Sequence, residues 1–200
     1  SYGARIVFRN GRAYLHVSIP IELYLKYFSK GRAKGNLIAG FDLNSDRVNM
    51  AIVDGYGRLR DAKTEWFPEV TSHGYPRSRA KARRLEALAK LLSYAFHHGV
   101  GVVVFENLFA VKRRRYTRNP VANRKMTRFA KREMLQHGMA MAMKYGFKVL
   151  LTNPRGTTSS KEHGEVMKRH GLDRHTASAY LIALPKGCLL YTSDAADDGE

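Results

Sequence analysis

Hydrophobic and polar positions alternate in short runs over the first third of this chain and settle into longer periods after it. Residues 5–19 form two β-prone runs around Asn10-Gly11, a pair that takes the positive φ angles of a tight hairpin turn. Residues 20–36 hold Pro20, several basic residues, Gly31 and Gly35, the composition of a connector into a new domain. From Leu37 the pattern predicts three consecutive antiparallel strands: Leu37–Leu43, Val48–Val53, and a run near Leu59–Phe67, with Asp54-Gly55 as a turn. After a loop over Pro68–Pro76, Leu85, Leu88 and Leu92 recur at helical spacing in a Lys/Arg-rich stretch that should end near His98-Gly99. Val100–Phe105 is apolar on both faces, as a buried strand with parallel neighbours must be. A second helix is expected from about Val121 to Tyr145, with Met126, Ala130, Met134, Met141 and Tyr145 largely on one face. A strand over Phe147–Leu151 and a last helix from about Asp173 to Leu184 complete the order.

That order, β-β-β-α-β-α-β-α, matches the RNase H-like (RuvC) fold, an α/β class with a mixed sheet. Residues 1–36 then form a hairpin and linker, and 37–187 the main domain. Residues 188–200 stand apart. Cys188-Leu-Leu-Tyr-Thr-Ser-Asp-Ala-Ala-Asp-Asp198 resembles a translated sequencing adapter, so the tail is set aside from fold reasoning, a genuine acidic tail being the alternative. Ser1 in place of Met leads us to expect a missing upstream part, and a foreign tail would imply that the natural chain continues past Gly187.

Two hundred residues, 44% of them hydrophobic, suffice for one sizeable core. No run approaches about eighteen apolar residues, and no signal-peptide layout opens the chain, so a soluble intracellular protein is expected. The formal charge is +18; the tail holds four acids and no base, and without it the charge is +22. The Lys and Arg residues are spread over loops and helices rather than set beside a large apolar face, which favours nucleic acid over a membrane as partner. The single Cys lies in the tail, leaving disulfides, Cys-based zinc sites and a catalytic thiol unsupported.

Thirteen acids remain outside the tail. Glu22, Asp61, Glu65, Glu69, Glu86, Glu133, Glu162 and Glu165 sit in polar or basic surroundings typical of a solvated face, and Asp46 and Asp54 read as turn formers. Asp42 differs, because it ends the run Leu37-Ile-Ala-Gly-Phe41 inside an expected central strand, where an unpaired carboxylate is costly. Glu106 follows Val102-Val-Val-Phe105 at the C-terminal end of a buried strand, where α/β proteins gather ligand-binding groups. Carboxylates in such places suit Mg²⁺ or Mn²⁺, and phosphodiester hydrolysis can use two such ions about 3.5–4 Å apart. The alternative is a pair satisfied by buried Arg or Lys.

Three runs carry a more specific likeness. Ile38-Ala-Gly-Phe-Asp-Leu-Asn44, Val103-Val-Phe-Glu-Asn-Leu108 and Gly171-Leu-Asp-Arg-His-Thr-Ala-Ser-Ala-Tyr180 resemble, in order and spacing, the three RuvC motifs of the TnpB (OrfB) family of transposon-encoded RNA-guided nucleases, relatives of type V CRISPR effectors. Asn10–Ser18 resembles strands of the wedge β-barrel that precedes the nuclease domain in those proteins. The resemblance implies a metal-dependent DNA endonuclease with a guide RNA and target DNA as partners, in the cytoplasm beside a prokaryotic nucleoid. It says nothing of oligomeric state. Arg113, Arg114, Arg115, Tyr116, Arg118, Arg124, Lys125 and Arg128 lie between the second and third motifs, placed to track a phosphate backbone or, for Tyr116, to stack on a base. A solvated basic loop is the alternative for any one of them.

The chain departs from the family pattern twice. Residues 160–172 hold His163 and His170 but no Cys, so the four-cysteine zinc ribbon of many TnpB proteins cannot form. In the third motif His175 stands where the family has its metal-binding Asp, and Asp173 matches an earlier Asp. Imidazole suits Mn²⁺ better than Mg²⁺, and either His175 or Asp173 is the candidate third ligand. The other reading makes Asp173 a helix N-cap and His175 a packed residue. A nuclease-dead RNA-guided repressor and an unguided RuvC-like nuclease are the alternative functions.

Overall fold

The computed structural model describes residues 3–29, 31–109, 118, 131–153, 160–184 and 189–191. The chain opens with β1 (Gly3–Arg9) and β2 (Arg12–Ser18), paired from Gly3↔Ser18 to Arg9↔Arg12. Asn10 and Gly11 take φ of 50° and 71°, giving the two-residue turn whose twist suits paired strands. Among the described residues the hairpin pairs with no other strand, and Ile6, Phe8, Leu15 and Val17 stand exposed on it. The expected connector at 20–36 contains a helix, α1 (Ile21–Phe28). Pro20 opens it without needing an N–H partner, and Ile21, Tyr24, Leu25 and Phe28 keep helical spacing. Reading Pro, Gly and basic residues as loop composition missed that periodicity.

The remaining elements are, in chain order, β3 (Leu37–Leu43), β4 (Arg47–Val53), β5 (Leu59–Trp66), a short 3-10 turn at Pro68–Thr71, α2 (Arg77–His97), β6 (Val100–Glu106), α3 (Lys131–Lys144), β7 (Lys148–Thr152), α4 (Lys161–His170), α5 (Arg174–Ala183) and β8 (Leu189–Tyr191). The sheet order is β5-β4-β3-β6-β7-β8. Its first three strands are antiparallel, while β6 is parallel to both β3 and β7. Three antiparallel strands whose first member pairs with a parallel strand, which in turn pairs with a second parallel strand, define the RNase H-like fold.

Two elements of this list were not expected from sequence. Residues 160–172 carry α4, started by Ser160, whose side chain accepts from the His163 N–H, and ended by Gly171 at φ 63°. Val166 is its only buried apolar side chain, too little for a periodic signal, so only the Ser cap and the Gly stop were there to be read. The tail set aside from the fold supplies β8, antiparallel to β7. Pairing with an open edge strand requires little beyond an extended apolar tripeptide. The expected helix over 121–145 is described from Lys131 onward; its earlier residues lie outside the described set.

Strand alternation sends side chains to two unlike faces. Phe41, Met50, Ile52, Val103, Phe105 and Val149 face α2 and α3, where they pack with Leu88, Leu91, Leu92 and Leu135 in the main core. Each such large side chain contributes about 1.5–3 kcal/mol on burial. The opposite face is covered over β3 and β4 by α5, through a smaller cluster of Ala51, Val53, Ala177, Ala179 and Ala183. Gly40 sets the closeness of that contact: a Cβ there would lie 2.2 Å from the Ala179 carbonyl oxygen and 2.4 Å from the Ala183 nitrogen. Small residues on both sides let α5 lie almost on the backbone of β3.

Candidate active site at the end of the sheet

Asp42 lies two residues beyond Gly40 and so shares its face, under the first turn of α5. It is 8% exposed. Its Oδ2 accepts from the Asn44 amide at 2.8 Å and from His175 Nδ1 at 3.0 Å. A carboxylate partner makes Nδ1 the protonated ring nitrogen, which leaves the Nε2 lone pair of a neutral imidazole free for another role. Glu106 is reached through the parallel pair Phe41↔Phe105: it is the next residue on β6, as Asp42 is on β3. It is partly exposed and stands opposite Thr152 of β7. Asp42, Glu106 and His175 thus come from three elements that meet at one end of the sheet.

Asp173 is brought to the same end but does different work there. As the N-cap of α5 it accepts from the backbone N–H groups of His175 and Thr176, at 2.9 and 3.3 Å, and from the Thr176 hydroxyl at 2.5 Å. Burial pushes its carboxyl up, but the Thr176 hydroxyl, the two N–H groups and the nearby His175 outweigh it and hold it below the usual carboxylate range. Of the two third-motif candidates, His175 is the one that touches Asp42.

Polar side chains bolt this corner together. Asn49, directly across from Asp42, donates to the Thr64 hydroxyl at 2.7 Å and the Thr176 hydroxyl at 3.1 Å. His163 of α4 is buried and reaches the Arg174 carbonyl at 2.9 Å and the Ser178 hydroxyl at 3.2 Å, pinning the start of α5. Arg84 of α2, also buried, holds the Ser45 carbonyl in the turn after Asp42. None of these supporting residues was singled out from sequence. An Asn in the apolar run Val48–Val53 was the readable signal for Asn49; Arg84 looked like one more base on a basic helix. Of the expected nucleic-acid contacts, Arg118 is exposed, while Arg113, Arg114, Arg115, Tyr116, Arg124, Lys125 and Arg128 lie outside the described residues.

The donor chemistry suits a hard divalent cation. Two carboxylates lie near the ends of adjacent strands, and two buried amide oxygens, Asn49 Oδ1 and Asn107 Oδ1, have no hydrogen-bond partner among the described residues; one belongs to the cross-strand neighbour of Asp42 and the other to the residue after Glu106. Oxygen donors left without a proton to accept are what such ions, or their water shells, satisfy. Among the described residues no three His, Cys, Asp or Glu side chains close on a common point. No helix among them is long and apolar enough to cross a membrane.

A family model described as the SSO2105 N-terminal domain matches residues 1–29. The chain is 47% identical over 184 residues to the uncharacterized protein SSO2105 of Saccharolobus solfataricus, across 92% of this chain and 50% of that protein. It is 39% identical over 199 residues to an uncharacterized protein of Aeropyrum pernix, across 92% of this chain and 53% of that one. The chain therefore spans about half the length of these curated relatives. Among solved structures it is similar to T. thermophilus RuvC in complex with a Holliday junction substrate, at TM-score 0.49 and 19% identity over 74% of this chain and 90% of that one. It is also similar to a CRISPR-Cas12f ternary complex, at TM-score 0.48 and 14% identity over 96% of this chain and 46% of that one.

Proposed function

We propose that this chain carries the nuclease centre of an RNA-guided DNA endonuclease, cutting phosphodiester bonds at the sheet end formed by Asp42, Glu106 and His175. The observation that carries the reading is the hydrogen bond of 3.0 Å between His175 Nδ1 and Asp42 Oδ2, made where β3 and β6 end side by side. It joins the first and third TnpB-like motifs, while the second supplies Glu106 on the neighbouring strand. A divalent ion, Mg²⁺ or Mn²⁺, held by Asp42 and Glu106 with His175 as third partner would activate water and stabilise the leaving oxygen. The protein's own part is positional: Gly40 lets α5 approach, Asp173 caps it, and Asn44 and His175 orient the Asp42 carboxylate. His175 Nε2 remains available to face a cation or to take up a proton. Guide RNA and target DNA as partners accord with a charge of +18 and with the motif resemblance.

The test is cleavage of guide-matched DNA by purified protein carrying its RNA. Asp42→Ala and Glu106→Ala should each abolish cutting while the RNA stays bound; cutting retained in either removes that residue from the site. A nuclease-dead RNA-guided binder is the second reading, favoured by the engagement of Asp173 as a cap and by His175 in place of an acid. It predicts guided binding with no cleavage in Mg²⁺ or Mn²⁺.

A further inference from the structure

Trp66, the only tryptophan in the chain, ends β5 and is 55% exposed. Its place relative to the carboxylates follows from register. Asp42 stands opposite Asn49, and Asn49 opposite Thr64, so the three form a row across the sheet. The hydrogen bonds from Asn49 to Thr64 and to Thr176 of α5 show that these side chains share the α5 face. Arg47 and Trp66, the next pair in the same alternation, lie on that face one step further toward the rim where β3 ends. Strand geometry puts Trp66 on the order of 12 Å from Asp42, two strands across and two residues along.

The indole is braced. The Arg47 guanidinium lies 4.0 Å from the centre of its ring, and Asp46 grips that guanidinium at 3.0 and 3.1 Å. The next residue is fastened too, because the Phe67 N–H donates to the Asp46 carbonyl at 2.8 Å. Arg47 keeps only 22% of its side chain exposed beneath the ring. One indole face is therefore occupied by a fixed cation, while most of the remaining surface is open. A rigid aromatic plate beside a phosphodiester-cutting centre, on a strongly basic chain, fits an unstacked nucleobase better than it fits a protein partner. Duplex DNA offers no free base face.

We infer that Trp66, backed by Arg47, is a stacking platform for a base of the single DNA strand that enters the Asp42–Glu106 site. This rests on the proposed nuclease reading for its choice of DNA, but its test does not require cutting. Because Trp66 is the only tryptophan of this 200-residue chain, its emission in protein made from this chain reports contact directly. In the presence of EDTA, a single-stranded DNA oligonucleotide should quench that emission in step with binding measured by anisotropy of a labelled strand, and the matching duplex should quench it less. Trp66→Ala should weaken single-strand binding about five- to hundredfold, and Trp66→Phe should recover most of the loss. Unchanged emission at saturation overturns the platform, as does wild-type affinity in Trp66→Ala. A Trp66 that merely shields the Arg47–Asp46 pair would give that second result together with a lowered Tm. Stronger quenching by single-stranded RNA than by DNA would overturn the assignment to the cut strand. The nuclease reading fails separately, through loss of the Asp42 dependence of cutting.

Discussion

Asp42 and Asp54 lie toward opposite ends of the β3–β4 hairpin and are equally buried, each 8% exposed, yet their surroundings differ in kind. Asp54 accepts from the N–H groups of Tyr56 and Arg58, at 2.9 and 3.0 Å, and from Arg60 Nε and Nη2, at 3.1 and 2.7 Å. The Arg58 N–H is the strongest influence on its carboxyl; burial opposes it, and the Tyr56 N–H and Arg60 help hold the group below the ordinary carboxylate range. Its charge is answered by fixed backbone dipoles and a guanidinium. Asp42 has one neutral amide and one imidazole for partners. Burial of a carboxylate marks a place worth attention, and the donor set distinguishes a turn carboxylate held by backbone N–H groups and a guanidinium from one whose partners are a side-chain amide and an imidazole.

The sharpest way to break this contrast is to remove each carboxylate. Asp42→Ala should abolish cleavage of guided DNA, a fall of at least about 10³-fold, as loss of several kcal/mol of transition-state stabilisation would produce, with the thermal transition preserved. Asp54→Asn should do the reverse, lowering Tm in a calorimetric scan and leaving the cleavage rate per folded molecule unchanged. Equal effects on cutting would mean that the two ends of the hairpin do not divide the labour in this way.

Gly40→Ala tests how the Asp42 end is built. Its Cβ would meet the α5 backbone at 2.2 Å, so the helix must move, at a cost of about 1–3 kcal/mol in denaturant titrations. Cleavage should fall with it, because His175 travels with α5. A variant as stable and active as the parent would show that the close contact is not what positions His175.

The smallest effect concerns Asp173. Removing the cap by Asp173→Ala should cost about 1 kcal/mol, and the cost should depend on pH. The folded carboxyl lies below its ordinary value of 3.8, so its stabilisation is fully present above that value and is lost as the pH falls through the lower folded one. Stability curves of the two proteins should therefore stay parallel near neutrality and converge in acid. If Asp173→Ala abolished cleavage while His175→Ala spared it, the roles assigned to the two residues would be exchanged.

Much of this was legible in one dimension. Turn chemistry at Asn10-Gly11, alternation through β3–β5 and the doubly apolar run of β6 are local properties, and they determine the element order and therefore the RNase H-like sheet. The same alternation singled out Asp42 and Glu106, because a carboxylate in or at the end of an apolar strand is anomalous wherever the strand packs. The helix α4 escaped because one buried Val166 gives no period, and α1 because loop-forming residues surround it. Sequence left His175 and Asp173 level, since two residues at a helix start have similar local prospects. The choice between their contacts came from the approach of α5 to β3, allowed by Gly40, Ala179 and Ala183, which swings His175 onto Asp42 while Asp173 closes the helix end. The support from Asn49, Thr176, His163 and Arg84 belongs to the same class. These bonds join residues up to 127 positions apart, and a pairing of that range is decided by packing, which no local pattern encodes.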